Sequence, residues 1–186
     1  MTPAKPRHVC PWWLAYTFDN PLRRIFHKPE EMFSPYLAEG MTAIDLGCGM
    51  GYFSIGMAKI VGETGKIIAV DLQQKMLTIL KKRAEKAGVA NRITTLLCGE
   101  NSIGINEEVD FALAFWMAHE TPDEMHFLKQ VHALLKRSGK FLLAEPKGHV
   151  TYSEFKKTVS LAQESGFKCI DSPEISLSHA AVLEKQ

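Results

Sequence analysis

The stretch from Thr42 to Val61 constrains the fold more than any other. A short apolar run, Thr42-Ala-Ile-Asp-Leu46, enters three glycines at alternate positions, Gly47, Gly49 and Gly51. The chain leaves them as Gly51 to Val61, with apolar residues at helical spacing and a stop at Gly62. A strand that ends in a glycine turn and resumes as a helix opens a crossover unit, and such units build parallel sheets covered on both faces.

The rest of the chain repeats this alternation. Lys66–Asp71 reads as a second strand, and Gln73–Ala87 as a charged amphipathic helix closed by Gly88. Ile93–Cys98 and Val109–Phe115 are the third and fourth strands. Pro122–Lys136 reads as a helix with Thr121 as its cap and Pro122 at its first position. Ser138-Gly139 turns into a fifth strand, Lys140–Glu145, and Tyr152–Glu164 is another helix. Phe167–Asp171 and Ala180–Glu184 are joined by too few residues for a helical crossover, so they should form an antiparallel hairpin at one edge. The expected fold is α/β and doubly wound: a mostly parallel seven-stranded sheet, an antiparallel C-terminal hairpin strand, and helices on both faces.

Residues 1–40 differ in texture. They hold six of the nine prolines and two of the three tryptophans, Trp12 and Trp13, without a clean strand. This segment is read as an N-terminal lid or strap, and residues 41–186 as the ligand-binding domain. The aromatic run around Trp12, Trp13, Tyr16 and Phe18 can close over a pocket or pack on the core; both readings stay open. His8 and Cys10 do not make a metal site by themselves, and no metal is expected.

The glycine turn carries the chemistry. Missing side chains permit close backbone approach by a ligand, and the following helix offers N–H groups and the positive end of its dipole. Twenty positions after Gly51 comes Asp71, at the end of the second strand, where an acid can accept the hydroxyl hydrogens of a ribose. A nicotinamide or flavin fingerprint, GxGxxG, needs a third small residue at position 52, which is Tyr52. The pattern is instead acid-x-Gly-x-Gly-x-Gly, with Asp45 two residues before Gly47. That acid repels a pyrophosphate and suits a ligand that carries an ammonium group.

On these residues the chain resembles the class I S-adenosylmethionine-dependent methyltransferases, from about Pro29 to Gln186. The resemblance implies a Rossmann-like domain with S-adenosylmethionine as cofactor, held by Asp45, Gly47, Gly49 and Gly51. It implies ribose binding by Asp71, with Leu72 and Met76 as apolar residues flanking adenine. Gly99-Glu100-Asn101 is similar to the family's Gly-Asp-Ala segment, which places Glu100 and Asn101 near the adenine amino group; Glu stands where Asp is usual. Val109–Phe115 is similar to the family's fourth strand, which puts Phe115 beside the methionine part. Leu134-Leu-Lys-Arg-Ser-Gly139 is similar to the leucine-lysine-proline-glycine turn, with Arg137-Ser138 in place of its Pro-Gly.

Methyl transfer needs in-line positioning, and a base only where the acceptor must lose a proton. After the fourth strand stand Trp116, Met117, His119 and Glu120; after the fifth, Glu145, Pro146, Lys147 and His149. His119 is the candidate base, with Glu145 or Glu120 to orient it. Arg23 and Arg24 can bind an acidic acceptor or form a solvated face.

Composition narrows the partners. Lys plus Arg total 22 against 21 Asp plus Glu, a formal net charge of +1, without the basic excess of a nucleic-acid-binding domain. Four scattered cysteines form no CxxC pair, no secretory leader is visible behind MTPAKPRH, and no run approaches the ~18 apolar residues of a membrane span. The expectation is a cytoplasmic methyltransferase acting on a small-molecule acceptor, with no nucleic acid or membrane partner. Two other readings stand beside it: a nicotinamide-dependent oxidoreductase, and a non-catalytic cofactor-binding subunit of a methyltransferase assembly.

Overall fold

The structure, a computed structural model, describes residues 23–186. His8, Cys10, Trp12, Trp13, Tyr16 and Phe18, and with them most of the lid-or-strap question, lie outside the described residues. After a single helical turn, α1 (Arg23–Phe26), and a short α2 (Pro29–Phe33), the chain alternates strand and helix. The order is β1 (Thr42–Leu46), α3 (Tyr52–Ile60), β2 (Lys66–Asp71), α4 (Gln74–Lys86), β3 (Ile93–Leu97), β4 (Val109–Phe115), α5 (Glu124–Leu134), β5 (Leu135–Pro146), α6 (Tyr152–Glu164), β6 (Phe167–Asp171) and β7 (Ser178–Lys185).

The strands form one seven-stranded sheet in the order β3-β2-β1-β4-β5-β7-β6. The first five run parallel, β1 pairing with both β2 and β4. β7 inserts antiparallel between β5 and β6, so the expected C-terminal hairpin is present, with β6 at the edge. The order in which strands are added reverses between β1 and β4, and ligands of open α/β sheets bind at such a switch, outside the carboxyl ends of the strands.

Alternate strand residues feed two cores. Ala43 and Phe111 meet Phe53, Met57, Leu77 and Leu80 of α3 and α4 on one face. Ile44, Leu143 and Ala181 meet Leu128 and Val131 of α5 and Phe155 and Ala162 of α6 on the other. Phe33 and Leu37 are fully or almost fully buried in the first core, although both precede residue 41. Close contact makes this possible: a Cβ on Gly56 of α3 would lie 2.3 Å from the Pro29 ring at the start of α2.

The boundaries around α5 and β5 differ from expectation. Thr121 does not cap α5; its hydroxyl donates to the Ala118 carbonyl (2.7 Å), closing the 3-10 turn Ala118–Glu120. The cap is Asp123, whose carboxylate accepts the His126 N–H at 2.9 Å, and the helix starts at Glu124. β5 starts at Leu135 rather than Lys140, because Ser138 takes a left-handed φ of 61° and lets the chain pair with β4 on both sides of an irregularity.

Replacing Phe33 by Ala should lower the unfolding free energy by roughly 3–5 kcal/mol, the usual cost of deleting a buried ring. Urea denaturation checks it; a loss below about 1 kcal/mol would make α2 a peripheral attachment.

Candidate functional site

The glycine turn is built from three left-handed residues, with φ of 68° at Gly47, 53° at Gly49 and 85° at Gly51. The three are glycine for two different reasons. A Cβ on Gly47 would come 2.8 Å from the Met117 side chain, and one on Gly51 would come 2.5 Å from Leu80 of α4. A Cβ on Gly49 would meet nothing within 4 Å. Sterics of packing explain the outer two glycines. Gly49 faces open space, and only its backbone conformation and the approach of a ligand require it.

Asp71 fixes the turn. Its carboxylate accepts the Gly49 N–H at 2.9 Å and the Gln73 N–H at 2.8 Å, joining the end of β2 to the turn and to the start of α4. The Cys48 N–H donates to the Val70 carbonyl at 3.0 Å, a second tie between the same segments. Burial pushes the Asp71 carboxyl upward, while the N–H groups of Gln73, Gly49 and Leu72 pull it down. Leu72, the next residue, is 38% exposed, and Met76 is buried on the first turn of α4.

Asp45 lies deeper, 2% exposed, and accepts the Ser54 hydroxyl from α3. Burial pushes it up to about 7, against the opposing pull of Ser54 and the Arg23 guanidinium. Glu100 and Asn101 sit on an exposed bend between Gly99 and Ser102, at the β3 end of the strand edge. The Asn101 carbonyl is occupied by His126 and Gln130 of α5.

At the end of β4, Phe115 packs on Phe53 with ring centres 4.5 Å apart and on Trp116 at 5.2 Å. Trp116 is left-handed, φ 62°, held by its N–H to the Ala144 carbonyl (2.8 Å) and its indole N–H to the Ser178 hydroxyl (2.9 Å). His119 follows on the 3-10 turn. Glu145, 2% exposed on β5, accepts the His119 backbone N–H at 2.9 Å, and its other oxygen lies 2.6 Å from His119 Nδ1. A carboxylate at Nδ1 selects the tautomer with its proton there, which makes Nε2 the basic nitrogen. The His149 ring stacks on His119 at 6.2 Å.

The structure thus brings the expected turn residues, Asp71 and the His119–Glu145 pair to one edge of the sheet. It adds His27, and it places Arg23, read above as an acceptor-binding or solvated residue, among aromatic rings. His27 is 2% exposed, bonds the Ser176 carbonyl through Nε2 at 2.9 Å, and stands edge-on to Phe53, Phe115 and Trp116. Only the sequence separation of 149 residues between His27 and Ser176 hid this contact. Among the described residues no three His, Cys, Asp or Glu side chains are grouped to hold a metal ion, and no helix is long and apolar enough to cross a membrane.

A sequence-family model described as a methyltransferase domain matches residues 37–179. A demethylmenaquinone methyltransferase of Oceanobacillus iheyensis is 29% identical over 107 residues, covering 57% of this chain and 44% of that protein. A protein-L-isoaspartate O-methyltransferase of Thermotoga maritima is 32% identical over 79 residues, 42% of this chain and 24% of that protein. The chain therefore spans less than half the length of these curated relatives. The crystal structure of a SAM-dependent methyltransferase from Aquifex aeolicus superposes with a TM-score of 0.85 at 23% identity, covering 96% of this chain and all of that one.

The raised Asp45 carboxyl has a stability signature. A carboxyl that holds its proton more tightly when folded contributes stability that is full below pH 3.8 and is lost as pH rises to about 7. Asp45→Asn should remove that contribution, so the variant's stability relative to the native chain should rise steadily across this window. Chemical denaturation at pH 4, 5.5 and 7.5 checks it; a constant difference would mean that Asp45 ionises normally.

Proposed function

The chain belongs to the methyltransferase-domain family, and we propose that it transfers a methyl group from S-adenosylmethionine to a small-molecule acceptor, leaving S-adenosylhomocysteine. The observation that carries this reading is Gly49: a left-handed residue whose N–H is taken by Asp71 and whose missing side chain opens onto space at the switch point of the sheet.

The residues present fit this cofactor. Gly47, Gly49 and Gly51 give a backbone cradle without a phosphate-binding fingerprint, because Tyr52 stands where a dinucleotide turn needs a small residue. Asp71 would hold the ribose with the lone pairs left beside its two N–H bonds. Leu72 and Met76 would flank adenine, and Glu100 and Asn101 lie on the same edge for its amino group. Asp45 supplies negative charge toward the amino-acid end, and Phe115 an apolar wall. When bound, S-adenosylmethionine supplies a methyl group already activated on a sulfonium sulfur.

His119 and Glu145 act on the acceptor. Glu145, buried and fixed on β5, orients the imidazole through Nδ1 and stabilises its cationic form, so that Nε2 can take a proton as the acceptor becomes a nucleophile. The near-neutral charge of +1 supports a small acceptor over a polyanion.

Titration calorimetry with S-adenosylmethionine and with NADH tests the cofactor half: the first should bind and the second should not. Gly49→Ala should fold, destabilised by about 1–2 kcal/mol for a left-handed alanine, and should lose cofactor binding. A folded variant that binds as well as the native chain would remove this loop from the site.

For the acceptor half, a metabolite pool incubated with methyl-labelled cofactor should yield a labelled product. His119→Ala should lower kcat on that acceptor by roughly 10²-fold or more with cofactor affinity retained. Unchanged turnover would exclude His119 as the base.

A further inference from the structure

One charged group near the glycine turn is explained neither by the cradle nor by the His119–Glu145 pair. The Arg23 guanidinium of α1 lies 4.6 Å from the centre of the Phe53 ring, 5.1 Å from Tyr52, 5.6 Å from Phe115 and 5.7 Å from Trp116. The rings come from the start of α3 and the end of β4, on either side of the glycine turn, and pack on one another. Ring faces collected around one point attract a cation, more strongly as water is excluded. The nearly inaccessible Asp45 carboxylate feels the Arg23 charge as well, so the region has both attractions that a positive group needs.

We infer that these four rings, together with Asp45, form a cation subsite of the cofactor pocket, that Arg23 is its resident occupant, and that the sulfonium–ammonium end of the cofactor binds by displacing the guanidinium. The inference rests on the methyl-donor reading given above. Two cations cannot share one ring box at these distances, since their repulsion in a water-poor site is several times that in water. Rotation of the arginine side chain moves the guanidinium off the rings. The backbone beside it is tied down by His27, whose N–H donates to the Arg23 carbonyl at 2.8 Å and whose ring bonds the Ser176 carbonyl.

The subsite also distinguishes donor from product. S-Adenosylmethionine carries a positive sulfur, and S-adenosylhomocysteine a neutral one. Both retain the ammonium group. A guanidinium that returns to the rings therefore competes more successfully with the product, and Arg23 acts as a positioning residue that favours exchange after transfer.

The test is calorimetry of both compounds with the native chain, Arg23→Ala, Arg23→Gln and Arg23→Lys, each checked by thermal melting. Arg23→Ala should bind S-adenosylmethionine on the order of tenfold more tightly and gain at least as much for S-adenosylhomocysteine. Arg23→Gln, which keeps length without charge, should move the same way even where alanine loosens the packing, and Arg23→Lys should stay near the native value. Weaker binding of both compounds would show that Arg23 grips the cofactor carboxylate, and unchanged binding that it is a bystander; either overturns the inference. If the native chain binds neither compound, the methyl-donor reading fails, and trimethylsulfonium alone then decides the subsite. Broadening of its methyl proton signal by Arg23→Ala but not by the native chain supports the ring box, and equal spectra overturn it.

Discussion

The carboxylate of Asp71 is the interaction on which the site depends. Three left-handed residues in a row of five have no intrinsic reason to hold one shape, since glycine has the largest conformational freedom to lose. Two N–H groups bound to one buried carboxylate supply that reason, because leaving either donor or acceptor without a partner below the surface costs about 1–3 kcal/mol. The turn is thereby registered against the end of β2, and α3 starts where Leu80 leaves room only for a glycine. Glycine turn, Asp71 and first crossover helix form one mechanical unit.

The part of the molecule that this unit organises was legible in the sequence. Strand, glycine turn, helix and the acid twenty positions on are all local, and their spacing reflects the length of one crossover. The hairpin β6–β7 was legible for the same reason, since a short connection cannot hold a helix. The cap of α5 was not. Thr121 and Asp123 are both good capping residues, and the choice was made by the Ala118 carbonyl, which engages the Thr121 hydroxyl in a neighbouring turn. His119 and Glu145 could be named from their places after β4 and β5, because adjacent parallel strands put their ends together. That both carboxylate oxygens serve His119 is a matter of rotamers.

Residues from the N-terminal side were the least legible. Two adjacent arginines in a polar-looking stretch give no hint that Arg23 lies among four rings. His27 gives none of its bond to a carbonyl beyond β6. Such contacts are made by chain segments far apart in sequence, so neither periodicity nor a local motif encodes them. The same holds for Phe33, which looks like part of a short amphipathic turn and is fully buried against α3.

Trp116 joins the ring cluster around Arg23 to the turn that carries His119. A bulky residue at φ 62° carries a strain of order 1–3 kcal/mol, and it persists only where its surroundings hold it. Here the backbone N–H is fixed to β5 through Ala144 and the indole to β7 through Ser178. The left-handed kink turns the chain out of β4, so that the indole becomes a wall of the ring box on one side. On the other it leads directly into the 3-10 turn that presents His119 to Glu145. One strained residue thus sets the distance between the rings around Arg23 and the His119–Glu145 pair. The antiparallel insertion of β7 beside β5 is what makes that strain sustainable, because Ser178 begins the strand that pairs with the Glu145 end of β5.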